Sequence, residues 1–227
     1  MIDVGGSKVK LHNSGDQRTA KFPSGKMMTA RKMAEQVREL TADWDYDVIS
    51  IGFPGPVVHG KPAVNSQNLG GGWPRFDFKK AFPKPVKLIN DAAMQALGSY
   101  EGGRMLFLGL GTGLGSTLIV DDVVVPLELG QLRYAQRKSL ENALGKRGLK
   151  KIGRTAWERA VHAAVVNLKA AFVADYVVVG GGNEKKLKRL PRGARRGSNR
   201  YAFRGGVRLW QSSPTSTKVQ KHTLIIT

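Results

Sequence analysis

Apolar and polar positions follow two rhythms along the chain. Lys8-Val9-Lys10-Leu11 alternates with the two-residue period of a half-buried strand, and the Gly5-Gly6 pair before it reads as the turn of a hairpin running from Ile2 to His12. Met33, Ala34, Val37 and Leu40 fall on one helical face, with Lys32, Glu35, Gln36, Arg38 and Glu39 largely off it, which predicts an amphipathic helix over Thr29 to Leu40. Apolar runs predict further strands at Asp47 to Phe53, Val86 to Ile89, Met105 to Leu110, Ser116 to Val120 and Tyr176 to Val179. Helices are expected over Ala92 to Leu97, which is rich in good helix formers, and over Trp157 to Phe172 by periodicity. Strands and helices alternate, so the fold class is α/β. Residues after Trp210 are polar without a clear pattern and are expected to form a loosely held tail.

Composition narrows the chemistry. The chain has 227 residues, 41% of them hydrophobic and 24% charged, the make-up of a globular rather than a disordered protein. It contains no cysteine, which excludes a disulfide framework, a cysteine zinc site, an iron–sulfur cluster and a cysteine nucleophile. The 4 histidines, His12, His59, His162 and His222, are too scattered for a histidine cage. No apolar run approaches the roughly 18 residues of a membrane helix, and the N-terminus lacks a signal-peptide pattern, so a soluble, cytoplasmic protein is expected. Charge changes the picture most. Lys and Arg number 37 against 17 Asp and Glu, a net +20, and the stretch from Gly145 to Trp210 alone carries 17 basic and 3 acidic residues. Such a surplus points to a polyanionic partner, whether nucleic acid, acidic membrane or a phosphate-rich substrate, unless it is simply a solvated surface.

Several predicted strands run into Gly, Asn or Asp. Glycine lets backbone amides approach phosphate oxygens closely, and successive amides in a turn form an anion-binding concavity. Any one such turn serves equally as a tight structural hairpin. Six short motifs in a fixed order carry more: Asp3-Val4-Gly5-Gly6-Ser7-Lys8, Gly52-Phe53-Pro54-Gly55-Pro56, Asn90-Asp91, Leu110-Gly111-Thr112-Gly113-Leu114-Gly115, Glu128-Leu129-Gly130 and Gly180-Gly181-Gly182-Asn183. That order resembles the ROK family of sugar kinases, and within it the polyphosphate glucokinase branch, from Ile2 to about Trp210. The resemblance implies an actin-like ATPase (ribonuclease H-like) fold with two α/β lobes around a cleft. Residues 1–89 would form the lobe with the first phosphate turn and the sugar loop, and 90–210 the lobe with the general base, second phosphate turn and donor site, leaving 211–227 as the tail.

The family's roles transfer position by position. Asp91 matches the general base that takes the proton of an attacking sugar hydroxyl, although an Asp before an Ala-rich helix also reads as an N-cap. Asn90, Asn68, Glu128 and, at about the family's spacing, Glu141 match sugar contacts. Asp3 matches the acid that holds Mg²⁺ through water, its alternative being a turn-stabilising Asp. Gly5, Gly6, Ser7 and Lys8, then Gly111, Thr112 and Gly113, then Gly181, Gly182 and Asn183, match donor-phosphate contacts, with Lys8 equally readable as an exposed strand lysine. The donor would be polyphosphate, ATP or both, and no zinc is expected. A groove of Lys150, Lys151, Lys185, Lys186 and Lys188, with Lys146, Arg147, Arg154 and Arg189 nearby, would bind polyphosphate through many salt-sensitive contacts.

Two departures stand out. Gln131 replaces the histidine that the family carries after Glu128-Leu129-Gly130, which puts sugar affinity or selectivity in question. Only Met1 and Ile2 precede Asp3, so the first central strand is short or its start truncated. The expected function is therefore a kinase phosphorylating the 6-hydroxyl of glucose or a close hexose. A non-catalytic sugar-sensing protein of the same fold is the alternative, and a nucleic-acid-binding protein finds less support because no helix-turn-helix precedes the first turn. Family members are often homodimers.

Overall fold

A computed structural model describes residues 1–134, 138–211 and 224–225. The first sheet contains β1 (Ile2–Val4), β2 (Lys8–His12), β3 (Thr19–Pro23), β4 (Ile49–Phe53) and β7 (Val86–Asn90), and α1 (Ala30–Leu40) lies between β3 and β4 in the chain. A small hairpin of β5 (Val57–Val58) and β6 (Lys61–Pro62) and the short helix α2 (Phe78–Ala81) complete this half. Helix α3 (Asp91–Ser99) leads to the second sheet, built from β8 (Arg104–Leu110), β9 (Leu114–Val120) and β10 (Val123–Leu127). After a ribbon of β11 (Arg133–Tyr134) and β12 (Lys138–Ser139) come α4 (Leu140–Leu144), α5 (Lys146–Ala171), β13 (Tyr176–Gly180), β14 (Ala194–Arg196) and α6 (Tyr201–Arg208). A last strand, β15 (Leu224–Ile225), pairs with β10 in parallel.

The two sheets repeat one topology. In the first, β2 and β3 follow β1 as an antiparallel meander while β4 and β7 add in parallel on its other side, giving the order β3-β2-β1-β4-β7. In the second, β9 and β10 follow β8 antiparallel and β13 and β14 add in parallel, so β10-β9-β8-β13-β14 matches it strand for strand. The turns at Gly5–Ser7 and Gly111–Gly113 thus join equivalent strands.

Each sheet has its own helix cover. Thr29 caps α1 by accepting from the Lys32 amide, and Met33, Ala34 and Val37 are buried with Val4, Ile51 and Phe53. Trp157, Val161 and Val165 of α5 pack with Leu106, Leu108, Val177 and Val179. Between the sheets runs α3, whose Ala93, Met94, Ala96 and Leu97 share a core with Ile89 of the first sheet and Met105, Phe107, Ile119 and Val178 of the second. Helix α6 crosses α3 so closely that a Cβ at Gly98 would overlap the Tyr201 carbonyl and one at Gly205 the Met94 carbonyl. It is tied to the first sheet by Ser50 Oγ donating to the Gly206 carbonyl (2.5 Å) and Trp210 Nε1 donating to Ser50 Oγ (2.9 Å). Lys87 donates to the Leu209 carbonyl at 2.9 Å, its Nζ 4.6 Å from the Trp210 ring centroid.

Several elements extend past the periodic signal. Helix α5 starts at Lys146, well before Trp157, and bends where Gly153 adopts φ 74°. Helix α6 has no counterpart in the hydrophobic pattern. Of the expected tail at 211–227, only Gln211 and the Leu224–Ile225 pairing lie within the described residues. No helix among the described residues is long and apolar enough to cross a membrane.

Candidate active site

Asp91 opens α3 at the junction of the two sheets, and two glycines make room for it. Asp3 on β1 stands opposite Gly52 of β4 in parallel register. A Cβ at Gly52 would lie 3.4 Å from Met94 Sδ and 3.6 Å from Asp91 Cα, and one at Gly115 of β9 would lie 2.7 Å from Ala92 Cβ. One bare backbone position in each sheet therefore lets the first turn of α3 settle between them. The N-cap is Asn90 rather than Asp91: its Oδ1 accepts from the amides of Ala92 (2.9 Å) and Ala93 (3.1 Å), and its Nδ2 donates to the Gly55 carbonyl (3.0 Å). The other amide hydrogen of Asn90 makes no hydrogen bond among the described residues. Asp91 accepts from the Ala92 amide through Oδ1 at 2.8 Å.

The electrostatics follow from that placement. Burial pushes the Asp91 carboxyl up to about 7 from its ordinary 3.8, and the negative charges of Asp3 and then Glu128 push the same way against the Ala92 amide. Glu128 is also raised, first by burial and then by the charge of Glu141. Ser116 holds the Glu128 segment in place, donating to the Leu127 carbonyl (2.8 Å) and accepting from the Leu129 amide (3.0 Å). Glu141, in the first turn of α4, lies against the second glycine turn, since a Cβ at Gly113 would come 2.6 Å from its Oε2 and one at Gly130 3.3 Å from its Cβ. Gln131 is exposed at the end of the short 3-10 turn Leu129–Gln131.

The glycine turns are bonded to one another. Asn183 donates from Nδ2 to the Gly111 carbonyl (2.9 Å) and from its amide to Leu110 (2.8 Å), while Gly181, at φ 82°, places its α-carbon where a Cβ would lie 2.6 Å from the Leu110 oxygen. The Lys146 amide donates to the carbonyls of Gly111 (3.1 Å) and Thr112 (3.3 Å), so α5 starts on this turn. Nothing stands within 4 Å of a Cβ at Gly182. In the first turn the Gly5 amide donates to the Lys8 carbonyl (3.0 Å), and Ser24 braces it through the carbonyls of Ser7 (3.0 Å) and Gly5 (2.5 Å). Ser7 and Lys8 are exposed, and Asn68 abuts the turn, its Cβ 2.8 Å from where a Gly6 Cβ would lie. Trp73 is fully buried and its amide donates to Asn65, which anchors the loop bearing Asn68.

The two basic segments also meet. Arg154 Nε donates to the Lys186 carbonyl (2.7 Å), and Glu158 accepts from the amides of Lys188 (2.7 Å) and Arg189 (3.1 Å), which fixes the Lys186–Arg189 segment on α5 after its bend at Gly153. Cavities of about 390 Å³, bordered by Arg31, Arg38, Arg75 and Lys80, and about 290 Å³, bordered by His12, Trp44 and Tyr46, lie away from these residues.

One residue escaped sequence reading. Lys10 donates to Asp3 Oδ2 at 2.9 Å across the β1–β2 ladder. The signal was the length of the Gly5–Ser7 turn, which sets Asp3 opposite Lys10. Among the described residues no cluster of three acids or histidines that could hold a metal occurs. A single carboxylate such as Asp3 nevertheless suits Mg²⁺, which keeps most of its waters and takes its other oxygens from substrate phosphates.

No family model matches the sequence. A glucokinase from Pyrobaculum calidifontis is 30% identical over 106 residues, covering 44% of this chain and 36% of that protein. A polyphosphate glucokinase from Mycobacterium leprae is 25% identical over 211 residues, covering 83% of this chain and 64% of that one. The matches span less than two thirds of the length of these curated relatives. Among solved structures, the inorganic polyphosphate/ATP-glucomannokinase of Arthrobacter sp. strain KM superposes with a TM-score of 0.75 at 23% identity, over 90% of this chain and 94% of that one. A ROK family glucokinase from Streptomyces griseus, in complex with glucose and AMPPNP, gives 0.72 at 16% identity over 90% and 96%. The fold is the actin-like ATPase fold of these sugar-kinase structures.

Proposed function

We propose that the chain is a sugar kinase that transfers a terminal phosphoryl group from polyphosphate, ATP or both to the 6-hydroxyl of glucose or a close hexose. The observation that carries this reading is Asp91, a carboxyl held between two sheets with its proton affinity raised to about 7. A base with that affinity takes a hydroxyl proton readily near neutral pH. In the reaction the sugar oxygen bonds to phosphorus as its proton passes to Asp91, and the bond between that phosphorus and the bridging oxygen of the donor breaks, leaving a donor one phosphate shorter. Glu128, Glu141, Asn68 and the free amide hydrogen of Asn90 would orient the sugar, with Gln131 at the rim. The turns Gly5–Lys8, Gly111–Gly113 and Gly181–Asn183 would receive the donor phosphates. Mg²⁺ held through Asp3 would offset charge on those phosphates.

Polyphosphate as a donor is supported by the way α5 starts on the Gly111–Thr112 turn and is tied by Arg154 to Lys186. On this reading Lys146, Lys150 and Lys151 on α5 and the Lys185–Lys188 segment bonded to it would together form a basic track suited to a linear polyanion. We take 1–89 and 90–210 as the two lobes and the cytoplasm as the site of action. The test is sugar phosphate formation from glucose and Mg²⁺ with polyphosphate or ATP as donor, at low and high salt. Product from polyphosphate that falls with salt is expected. Product from ATP alone would remove the role of the basic track, and none from either donor over a panel of hexoses would favour a sugar-sensing protein.

A further inference from the structure

Outside the candidate active site, the cavity of about 390 Å³ opens between α1 and the segment running from Arg75 into α2, and its size falls within the range of small-ligand sites. Its walls are cationic on both sides. Arg31 and Arg38, two turns apart on one face of α1, form one wall, and Arg75 and Lys80 contribute to the other. Elsewhere in the chain Arg18, Arg104, Arg195 and Arg196 each hold a carboxylate. Among the described residues Arg31, Arg38 and Arg75 make no ion pair, although Glu35 stands one turn from both arginines of α1. Lys80 comes no nearer to Asp77 than 4.0 Å. Positive charge thus converges on a concave space without a partner inside the protein, a field that an anion would relieve. The floor is apolar and held in place. Ala34 is buried, and Phe76 packs edge-on against Phe78 (4.9 Å between centroids), which stacks on the buried Trp73 (6.2 Å). Asp77 caps α2 by accepting from the Lys80 amide (3.1 Å), which fixes the arc from Arg75 to Lys80.

We propose that this cavity is a second binding site, separate from the one at Asp91, and that its ligand is a phosphorylated monosaccharide. The guanidiniums of Arg31, Arg38 and Arg75 supply the paired donors that phosphate oxygens accept. Glu35 and Asp77 at the rim repel a bare polyanion but accept hydrogen bonds from sugar hydroxyls. Phe76 offers apolar surface to the C–H side of a sugar ring. Cations, carboxylates and one aromatic ring together suit a molecule that is anionic at one end and hydroxylated at the other, and the carboxylates discriminate against inorganic phosphate chains.

The test is calorimetric titration of glucose 6-phosphate into the full chain, without metal or phosphoryl donor. Binding is expected, and Arg38→Gln and Arg75→Gln, one from each wall, should each weaken it at least about tenfold, the share of one hydrogen bond to a charged group. Lys32→Gln removes the same charge from the same helix outside the cavity and should leave the affinity unchanged. All three side chains are exposed, so urea unfolding should be the same for each variant as for the parent. Inorganic phosphate should bind the parent at least about tenfold more weakly than glucose 6-phosphate, because it lacks the ring and hydroxyls that Phe76 and the carboxylates would hold. No binding of glucose 6-phosphate, binding that survives in both arginine variants, or an equal loss in Lys32→Gln would each overturn the proposal. Inorganic phosphate or tripolyphosphate binding to the cavity as tightly as the sugar phosphate would overturn it too. The titrations involve no turnover, so failure of the chain to phosphorylate any sugar would count against the kinase reading alone.

Discussion

Replacing Asp91 with Asn tests the placement of that carboxyl through stability as well as through turnover. The interval between about 7 and the ordinary 3.8 corresponds to about 4 kcal/mol at roughly 1.4 kcal/mol per pH unit. Asp91 retains some contact with solvent, which screens the charge and reduces the figure to about 2 kcal/mol. The sign is set by proton uptake. Below about pH 4 the carboxyl is neutral in the folded and unfolded chains alike and costs nothing. Between about pH 4 and 7 the unfolded chain ionises while the folded chain does not, so the parent protein loses stability as pH rises, and above 7 the loss is complete. Asn never ionises. Urea unfolding followed by tryptophan fluorescence, in EDTA, should therefore find Asp91→Asn more stable than the parent by about 2 kcal/mol at pH 8, with the advantage shrinking steadily towards pH 4.5. In the donor assays the same variant should lose at least about 10²-fold in kcat while retaining glucose binding. An advantage that does not grow with pH, or turnover at the parent's rate, would refute the argument from burial and charge.

Other perturbations bear on separate parts of the structure. With Asp91 as base, kcat should fall as pH drops below about 7, where the carboxyl becomes protonated, and a profile flat from pH 5 to 8 would count against it. Gly115→Ala puts a methyl 2.7 Å from Ala92 Cβ, so the start of α3 must shift; a loss of about 1–3 kcal/mol in urea unfolding is expected. Gly71→Ala, where a Cβ meets nothing within 4 Å, serves as its silent control. Charge reversal at Lys150 and Lys151 should raise the KM for polyphosphate and flatten its salt dependence while leaving the KM for glucose unchanged. Gln131→His should lower the KM for glucose, and an unchanged or higher value would mean that the amide suits the natural sugar.

The strands and the amphipathic helix were legible because their side-chain period is set by one buried face. Val9 and Leu11 against Lys8 and Lys10 marked β2, and Met33, Ala34 and Val37 after the capping Thr29 marked α1. Helix α6 was illegible for the opposite reason. Gly205 and Gly206 are poor helix formers, present because α3 and the first sheet approach too closely for side chains, a requirement that exists only once both partners are in place. The first half of α5 is masked by lysines and by Gly148 and Gly153, which break the apolar stripe. At the site, motif order singled out Asp91 and the glycine turns, yet the capping role fell to its neighbour Asn90 because the Asn90 side chain, not that of Asp91, spans the first two free amides of α3. The field of Asp3 and Glu128 on Asp91 joins residues far apart in sequence and could not be read from any one segment.

The glycine crossing of α3 and α6 has a mechanical side. Both helices bear on both halves of the molecule: α3 shares one core with the two sheets, and α6 is bonded to Ser50 and, through Arg208, to the Leu97 and Tyr100 carbonyls. Any swing of one sheet against the other must turn about this crossed pair. Points near a pivot travel least, so Asp91, at the start of α3, would move less in such a swing than the glycine turns. Closure would then carry the donor to the base, and the stiffness of the pivot, set by how tightly bare backbones touch at Gly98 and Gly205, would govern how readily that closure occurs.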